Sequence, residues 1–301
     1  MLKLFLAALL TTATALPAEA VELSPRIAGG TPATSGDFNF TVSIMIGDQH
    51  VCGGALLGPD TVLTAAHCIQ EGHPISSYKV RAGSLDCKTG GTVVGVRSMT
   101  PHSSYTTTHD GTSVHDIAIF KLSEPIPESS SISYAKVQQQ NADLPAQANA
   151  TIAGCGKVSA GENAPSASML QVARATIVDR NACRNSVSGL TENMICVGAS
   201  AGPDGVAPQA PGLFDWTGGP AMPGQTEARG ICSGDSGGPV VVNGEVVGVA
   251  SFVLGEPKEP GGTVCQALNK PAFATRVDKY VDRFIKPALQ VNGEAPGVTR
   301  V

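Results

Sequence analysis

Short apolar runs rich in Val, Ile and Leu recur along most of the chain and predict β-strands. Clusters of Gly, Pro, Asn, Asp or Ser separate most of them, which is typical of an antiparallel barrel or sandwich. A parallel sheet would need long crossover helices, and the pattern shows none between the runs. The predicted strands are Phe40–Ile46, Gly54–Leu57, Thr61–Leu63, Thr92–Val96, Ile117–Leu122, Thr151–Ile152, Leu170–Ile177, Pro239–Val242 and Val246–Phe252.

Helical periodicity is confined to the region near the C-terminus, over Arg276–Leu289. Apolar residues there recur at spacings of three and four, the period of an amphipathic helix, and Pro287 falls near the predicted end. The patterns therefore predict an all-β fold with one C-terminal helix.

The N-terminus has the pattern of a secretory signal peptide. Lys3 precedes the apolar run Leu4–Leu10, and two A-x-A cleavage patterns follow it. The run is too short to span a bilayer. We therefore expect residues 1–20 to be a signal peptide rather than a buried helix, and we expect a secreted, extracellular protein with no membrane partner.

Composition narrows the class of protein further. Of the 301 residues, 42% are apolar and 15% are charged, which suits a globular domain with a core and excludes general disorder. The net charge of −5 comes without a basic run, so no nucleic-acid partner is expected. In an oxidising compartment the eight cysteines predict four disulfides, whose pairing the count leaves open.

A Gly- and Pro-rich segment, Gly198–Gly230, holds the single tryptophan of the chain. Its length and lack of pattern indicate either a functional loop or a mobile insertion. Asn39 and Asn149 begin N-x-T glycosylation sequons, and the first of them overlaps a predicted strand.

The strongest chemical signal is the run Gly-Asp-Ser-Gly-Gly-Pro at 234–239. Glycines around Ser236 allow a tight turn whose amide N–H groups can receive a developing oxyanion, although a Gly-rich turn capped by Asp235 is the plainer alternative. The run also fits the G-x-S-x-G elbow of α/β-hydrolases, in which the catalytic histidine follows the serine. All six histidines precede Ser236, which excludes that fold.

A histidine and a carboxylate suited to activating Ser236 lie upstream. His67 is followed by Cys68, which can anchor it through a disulfide, and Asp116 stands at the head of an apolar strand. Ser236 would attack a carbonyl, His67 would take its proton, and Asp116 would orient the imidazole. Spacing alone does not distinguish His67 from the other five histidines.

These residues resemble the chymotrypsin/trypsin-like serine peptidases. Three motifs carry the resemblance in the family's order: Thr-Ala-Ala-His-Cys at 64–68, Asp-Ile-Ala-Ile at 116–119 and the run at 234–239. Arg-Ile-Ala-Gly-Gly at 26–30 is similar to the family's activation site, and Cys-Gly-Gly-Ala-Leu at 52–56 to its approach to the histidine. The resemblance implies two antiparallel six-stranded β-barrels, with the active site between them and a C-terminal helix.

The resemblance also implies a division of the chain. Residues 21–26 would be an activation propeptide and 27–290 the peptidase domain, with barrel halves of about 27–140 and 141–290. The remaining residues, 291–301, would be a disordered tail.

The resemblance assigns roles to individual residues. His67, Asp116 and Ser236 match the catalytic triad, and the amides of Gly234 and Ser236 match the oxyanion hole. Cleavage after Arg26 would free the Ile27 amine to pair with the Asp235 carboxylate. The implied partners are protein or peptide substrates, an activating protease and protein inhibitors, and a monomer is expected.

Three disulfides are implied by the same resemblance: Cys52–Cys68, Cys183–Cys196 and Cys232–Cys265. Cys87 and Cys155 remain, and we predict that they form a fourth bond that is not typical of the family. Two free thiols are the alternative.

The predicted specificity pocket departs from that of trypsins. Gly230 stands where trypsins carry an aspartate, six residues before the nucleophile, so the pocket has no carboxylate for an Arg or Lys substrate. Ser251, Val253 and Ala272 match its walls and narrow the slot, which favours small or medium aliphatic side chains. An aromatic-accepting pocket is one alternative; re-entry of Asp215, Glu227 or Glu256 from the long loops is another.

We therefore predict a secreted serine endopeptidase, made as a zymogen, that hydrolyses peptide bonds through an acyl-enzyme. The alternative from another class is a catalytically silent homologue that acts as a binding module. No cofactor is expected, and no metal: His102, His109 and His115 lie in a polar loop, and Gly83–Gly91 lacks the paired glutamates of calcium-binding relatives.

Overall fold

The computed structural model describes residues 30–109, 111–158, 164–184, 187, 189–199, 230–253, 265–266 and 270–290. Several predictions fall outside these residues. They are the signal peptide, the propeptide with Arg26, the Ile27 amine, the C-terminal tail and the loop carboxylates Asp215, Glu227 and Glu256.

The described residues form mainly β-structure, with short helical turns. The strands are β1 (Thr31–Pro32), β2 (Thr41–Ile46), β3 (Gln49–Gly58), β4 (Thr61–Thr64), β5 (Tyr78–Ala82), β6 (Thr92–Pro101), β7 (Thr106–Thr107), β8 (Ser113–Val114), β9 (Ala118–Leu122), β10 (Lys136–Val137), β11 (Asn149–Gly154), β12 (Gln171–Ile177), β13 (Met194–Ala199), β14 (Pro239–Val242), β15 (Glu245–Val253) and β16 (Ala272–Arg276). The α-helices are α1 (Arg180–Arg184) and α2 (Lys286–Gln290), and 3₁₀ turns cover Ala66–Cys68, Ile75–Ser77 and Val277–Lys279.

The first barrel closes in the order β2-β3-β4-β9-β6-β5, and all of its pairings are antiparallel. Strand β5 shows why the residues fold this way, because Tyr78, Val80 and Ala82 alternate inward while Lys79 and Arg81 lie partly exposed. Its buried side chains join one apolar core with residues such as Ile44, Leu56 and Phe120.

The second barrel follows the order β12-β11-β14-β15-β16-β13, and pairing between β12 and β13 closes it. Its hairpin β14–β15 turns at Asn243 and Gly244, which have φ values of +51° and +80°. Two consecutive left-handed residues are typical of the type I′ turn that Asn-Gly favours. The predicted pair of six-stranded barrels is therefore confirmed.

Each barrel receives a terminal segment of the other half of the chain. Strand β1 pairs with β12 of the second barrel, and Val277, Tyr280 and Ile285 pack into the core of the first barrel. Lys121 ties this C-terminal segment down by donating a hydrogen bond to Ala288 O at 3.0 Å. Each barrel is therefore packed against a segment from the other half of the chain.

The predicted C-terminal helix begins at Val277 and is not one regular α-helix. A 3₁₀ turn over Val277–Lys279 leads into a π-helical turn over Val281–Ile285 and then into α2. The Tyr280 carbonyl accepts hydrogen bonds from both Phe284 and Ile285 at 3.0 Å, and the bond from Ile285 has the wider, five-residue spacing of a π turn. Pro287 lies within α2, although the sequence pattern placed it near the helix end.

Four disulfides connect the described cysteines, and no described cysteine is free. They are Cys52–Cys68, Cys87–Cys155, Cys183–Cys196 and Cys232–Cys265, the four pairs that the sequence analysis expects. Cys87–Cys155 joins the loop between β5 and β6 to the end of β11, and so links the two barrels covalently.

Candidate active site

His67 lies in the 3₁₀ turn Ala66–Cys68, directly after β4. The next residue, Cys68, is bonded to Cys52 of β3, so the disulfide anchors the turn to a buried strand. The imidazole itself remains partly open, with 30% of its side chain exposed. The first barrel therefore holds the histidine backbone firmly while its ring can meet a substrate.

Asp116 lies two residues before β9 and is fully buried. His115 before it has a φ of +55°, and the Ile117 N–H donates to His115 O at 2.9 Å, so the chain bends tightly around the carboxylate. The carboxylate accepts two hydrogen bonds from His67, one from Nδ1 at 2.7 Å and one from the backbone N–H at 2.9 Å. The structure thus joins the predicted histidine and aspartate.

The environment of Asp116 favours its ionised form. Burial alone would raise the pKa of this carboxyl, but hydrogen bonds from His67 and Ser251 and the charge attraction of His67 outweigh burial and lower the pKa. An ionised Asp116 accepts the Nδ1 proton of His67. The opposite nitrogen, Nε2, is then the one that can take up a proton.

Two residues of the second barrel hold Asp116 from the other side. Ser251 Oγ of β15 donates a hydrogen bond to Asp116 Oδ2, and Thr275 Oγ1 of β16 donates to the Asp116 carbonyl at 2.8 Å. The sequence analysis placed Ser251 in the substrate pocket and missed its contact with Asp116. The carboxylate is therefore positioned by both barrels.

Ser236 stands in a tight turn pressed against the segment that carries His67. The Gly53 N–H donates to Ser236 O at 2.7 Å. A Cβ on Gly237 would lie 2.2 Å from Thr64 Oγ1 and 2.5 Å from Gly53 O, and its φ is +77°. Only glycine fits this approach, which brings the serine turn beside the β4–His67 connection.

The predicted oxyanion donors lie in the same turn. Within the described part of the chain, neither the Gly234 N–H nor the Ser236 N–H donates a backbone hydrogen bond. The Gly234 carbonyl is held by His50 Nε2 at 2.9 Å, and Ser43 Oγ lies 2.7 Å from His50 Nδ1. Neither amide thus has a backbone acceptor among the described residues, and amides of this kind are what an oxyanion hole needs.

His50 is a supporting residue that the sequence analysis missed. Burial lowers its pKa, and the hydrogen bond to Gly234 opposes this only in part, so the ring is neutral at neutral pH. A neutral ring that donates from Nε2 to a carbonyl must accept from Ser43 at Nδ1. His50 and Gly234 are 184 residues apart, so no local pattern points to the contact.

Asp235 is fully buried behind the serine turn. Its carboxyl oxygens accept from the N–H groups of Gly156 at 2.8 Å and Cys232 at 2.9 Å. Burial raises the pKa of Asp235 to about 7, although the two backbone hydrogen bonds lower it. Among the residues that the structure describes, no cationic side chain forms a salt bridge with it.

The predicted pocket residues come together in the second barrel. Val253 and Ala272 are directly paired across β15 and β16, and both pack in the apolar cluster that includes Ile231. Gly230 is buried at the start of this segment, beside the side chain of Gln266. Val253 and Ala272 therefore lie among apolar residues, and Gln266 is a neighbour of Gly230 that the sequence analysis did not identify.

The described residues offer little for a metal ion. One group of candidate ligands is present, in which His67 and the sulfurs of Cys52 and Cys68 lie within 4.8 Å of one another. Both sulfurs belong to a disulfide and are not thiolates, so His67 is the single usable ligand of the group. In the part of the chain with described structure, we find no helix with the length and hydropathy of a membrane span.

Comparisons with known proteins agree with this geometry. A family model described as Trypsin matches residues 27–208 and 219–284. "Trypsin delta" of Drosophila erecta is 34% identical over 238 residues, which cover 78% of this chain and 81% of that protein. "Serine protease SP24D" of Anopheles gambiae is 31% identical over 232 residues, which cover 76% of this chain and 72% of that protein. Among solved structures, human heparin binding protein matches with a TM-score of 0.66 at 25% identity, covering 90% of this chain and 100% of that one.

Proposed function

Because the chain belongs to the trypsin family of serine endopeptidases, we propose that it cleaves peptide bonds with His67, Asp116 and Ser236 as its catalytic triad. The observation that carries this proposal is the buried Asp116 carboxylate, which accepts two hydrogen bonds from His67. In this role His67 Nε2 takes the Ser236 proton while Oγ attacks the substrate carbonyl. The amides of Gly234 and Ser236 stabilise the oxyanion, and protonated His67 gives its proton to the leaving amine as the peptide bond breaks. Water, deprotonated by His67, then hydrolyses the acyl-enzyme and releases Ser236.

Activation by cleavage after Arg26 is the second part of the proposal. The fully buried Asp235 supports it, because an ionised carboxylate at such a position requires a cation. The Ile27 amine freed by cleavage supplies that cation. Pairing would order the turn that carries the oxyanion amides, so the uncleaved chain is a zymogen.

The substrate class follows from the pocket. The relatives carry the name trypsin, yet Gly230 places no carboxylate at the predicted pocket base. Val253 and Ala272 supply apolar walls in contact with Ile231. We assign a preference for small or medium aliphatic side chains, since a buried Arg or Lys cation would stay unpaired there.

Secretion and partners complete the proposal. The signal-like residues 1–20 direct the chain out of the cell, where the four disulfides are stable. Its partners are protein or peptide substrates, the protease that cleaves after Arg26, and protein inhibitors that occupy the cleft. The active protein works as a monomer.

Peptide-library cleavage tests these statements together. The chain processed after Arg26 should cut after Ala, Val or Leu. The Ser236→Ala variant should lose activity on the order of a million-fold. Ser77→Ala is the matched control, because Ser77 lies in a separate 3₁₀ turn and its hydroxyl donates to the Pro74 carbonyl, away from the triad.

Two other outcomes have defined meanings. Cuts after Arg or Lys would contradict the pocket assignment and leave the triad standing. No cleavage by the processed chain, together with no labelling of Ser236 by a fluorophosphonate, would favour the catalytically silent binding module.

A further inference from the structure

Gln266 is a fully buried amide in the segment that follows Cys265. Its Nε2 donates to Val197 O at 2.9 Å and to Lys270 O at 3.2 Å, and its Oε1 accepts from the Ile231 N–H at 3.4 Å. Its backbone N–H also donates to Ile231 O at 2.8 Å. The side chain is therefore fixed by hydrogen bonds to three separate stretches of backbone.

The Gln266 side-chain amide occupies the position that a side chain on residue 230 would need. A Cβ built on Gly230 would lie 2.0 Å from Gln266 Oε1 and 3.0 Å from its Cδ, and the φ of Gly230 is +138°. A side chain at position 230 and the Gln266 amide therefore exclude each other. Where a trypsin extends an aspartate from this position, the present chain fills the same volume from a different segment.

The position of Gln266 relative to the pocket walls gives this packing a consequence for substrates. Ile231, which bonds to Gln266 through both its N–H and its carbonyl, packs in one apolar cluster with Ala272 and Val253. The Cys232–Cys265 disulfide joins the two segments one residue further on. Gln266 thus lies directly beside the residues that carry the proposed pocket walls.

We propose that Gln266 is a specificity-determining residue, whose side-chain amide forms the floor of the substrate pocket and restricts it to short, uncharged side chains. This inference rests on the proposed peptidase function and deepens it. A neutral amide cannot neutralise a substrate cation, and its two N–H donors already have carbonyl partners. A long substrate side chain would have to displace this amide, which is hydrogen-bonded to the backbone of Val197, Ile231 and Lys270.

Gln266→Ala tests the steric part. The processed protein and the variant are titrated with a fluorophosphonate, so that rates refer to functional sites, and kcat/KM is measured on peptides with Ala, Leu or Phe before the scissile bond. We expect the Leu-to-Ala and Phe-to-Ala ratios to rise about tenfold in the variant. Unchanged ratios would overturn the proposal, because a residue with a purely structural role alters all three rates alike.

Gln266→Glu tests the electrostatic part with almost no change of volume. A buried carboxyl without a cation stays neutral, whereas a Lys or Arg side chain of the substrate would stabilise its ionised form. We expect the Arg-to-Ala ratio of kcat/KM to rise at least about 100-fold, with a larger gain at higher pH. Gln138→Glu is the control, since Gln138 is also buried but bonds to Asp143 O away from the pocket.

The wild type supplies a measurement that does not depend on a variant folding. Its kcat/KM should fall from Leu to Phe and be lowest for Arg and Lys. Equal or faster cleavage after Phe, Arg or Lys would refute the Gln266 floor while leaving a working peptidase. No cleavage of any peptide by the processed wild type would instead refute the proposed function itself.

Discussion

Two buried aspartates, Asp116 and Asp235, occupy opposite sides of the site and differ in how their charge is balanced. Asp116 accepts hydrogen bonds from His67 and Ser251, and its pKa is lowered despite burial. Asp235 accepts only from backbone amides among the described residues, and burial raises its pKa to about 7. The two carboxyls are equally buried but favour opposite protonation states. Their hydrogen-bonding and charged partners therefore determine the direction of each pKa shift.

Under the proposed activation, this difference separates the part of the site that is already assembled from the part that cleavage would complete. The pair of Asp116 and His67 needs nothing further to orient the imidazole. Asp235 is fully buried, and no cationic side chain among the described residues forms a salt bridge with it. The contrast supports the proposal that cleavage after Arg26 acts on the serine turn and leaves the histidine in place.

Asp116→Asn should have the largest effect, because it removes the charge that orients His67. We expect kcat to fall about 10,000-fold at neutral pH, since an amide favours the wrong imidazole tautomer. The measurement is kcat on a peptide substrate, referred to sites titrated with a fluorophosphonate.

Asp278→Asn is the matched control for that loss. Asp278 is equally buried but pairs with Arg276 at 2.8 Å, away from the triad. This variant should lower the free energy of unfolding and change kcat by less than about tenfold. Comparable losses of kcat in both variants would show that burial, and not contact with His67, explains the effect.

The pH dependence of stability should expose Asp235. In the uncleavable Arg26→Gln chain, the folded pKa of about 7 lies above the usual value of 3.8. The unfolded state therefore loses this proton first, and stability should fall as pH rises from about 4 to about 7, by about 4 kcal/mol. Denaturant unfolding across this pH range measures the slope.

Adding Asp235→Asn to that chain isolates the contribution of the aspartate. The double variant should lack this part of the slope, because an amide does not titrate. Processing the wild type after Arg26 should also remove it, since a paired amine favours the ionised carboxylate. Parallel pH curves for the single and double variants would contradict the raised pKa.

Much of the fold follows from local patterns. Pro239–Val242 was predicted with the bounds that the structure shows, and the run predicted at Phe40–Ile46 begins one residue later. The predicted runs miss β5, β13 and β16, and also the two-residue strands β1, β7, β8 and β10. In β5 the charged residues Lys79 and Arg81 interrupt the apolar run, and β16 has five residues directly before a helical turn.

The site was predictable only as far as its motifs are local. The resemblance selected His67, and the structure places it against Asp116, 49 residues away. The contacts of Ser251 with Asp116 and of Gln266 with Gly230 have no sequence pattern, because they arise where separate strands and loops meet. Such contacts form only when the barrels close, so the order of residues along the chain does not reveal them.

Removing the disulfide between the barrels should have an intermediate effect on stability. Cys87 and Cys155 are 68 residues apart, so Cys87→Ser with Cys155→Ser should lower the free energy of unfolding by about 2–4 kcal/mol. Cys155 lies between Gly154 and Gly156, which contact Asp235. The same variant should therefore also change the pH slope assigned to Asp235.

Cys183 and Cys196 provide the comparison for that variant. They are 13 residues apart and lie in the apolar cluster with Phe273. Replacing both with Ser should lower the free energy of unfolding by less than replacing Cys87 and Cys155 does. It should also leave unchanged the pH dependence of stability that is assigned to Asp235. If both double variants lost the same free energy of unfolding, the disulfide between the barrels would contribute no more to stability than the one within the second barrel.

The smallest effect is expected where the second barrel contacts Asp116. Ser251→Ala removes a hydrogen bond to the charged carboxylate, and kcat/KM should fall roughly tenfold. Thr275→Val removes a hydrogen bond to the neutral Asp116 carbonyl, so kcat/KM should fall only about threefold. Both hydroxyls are buried in neighbouring strands, and the ratio of the two losses therefore reports on the carboxylate charge. Equal losses of kcat/KM in the two variants would instead place the effect in strand packing.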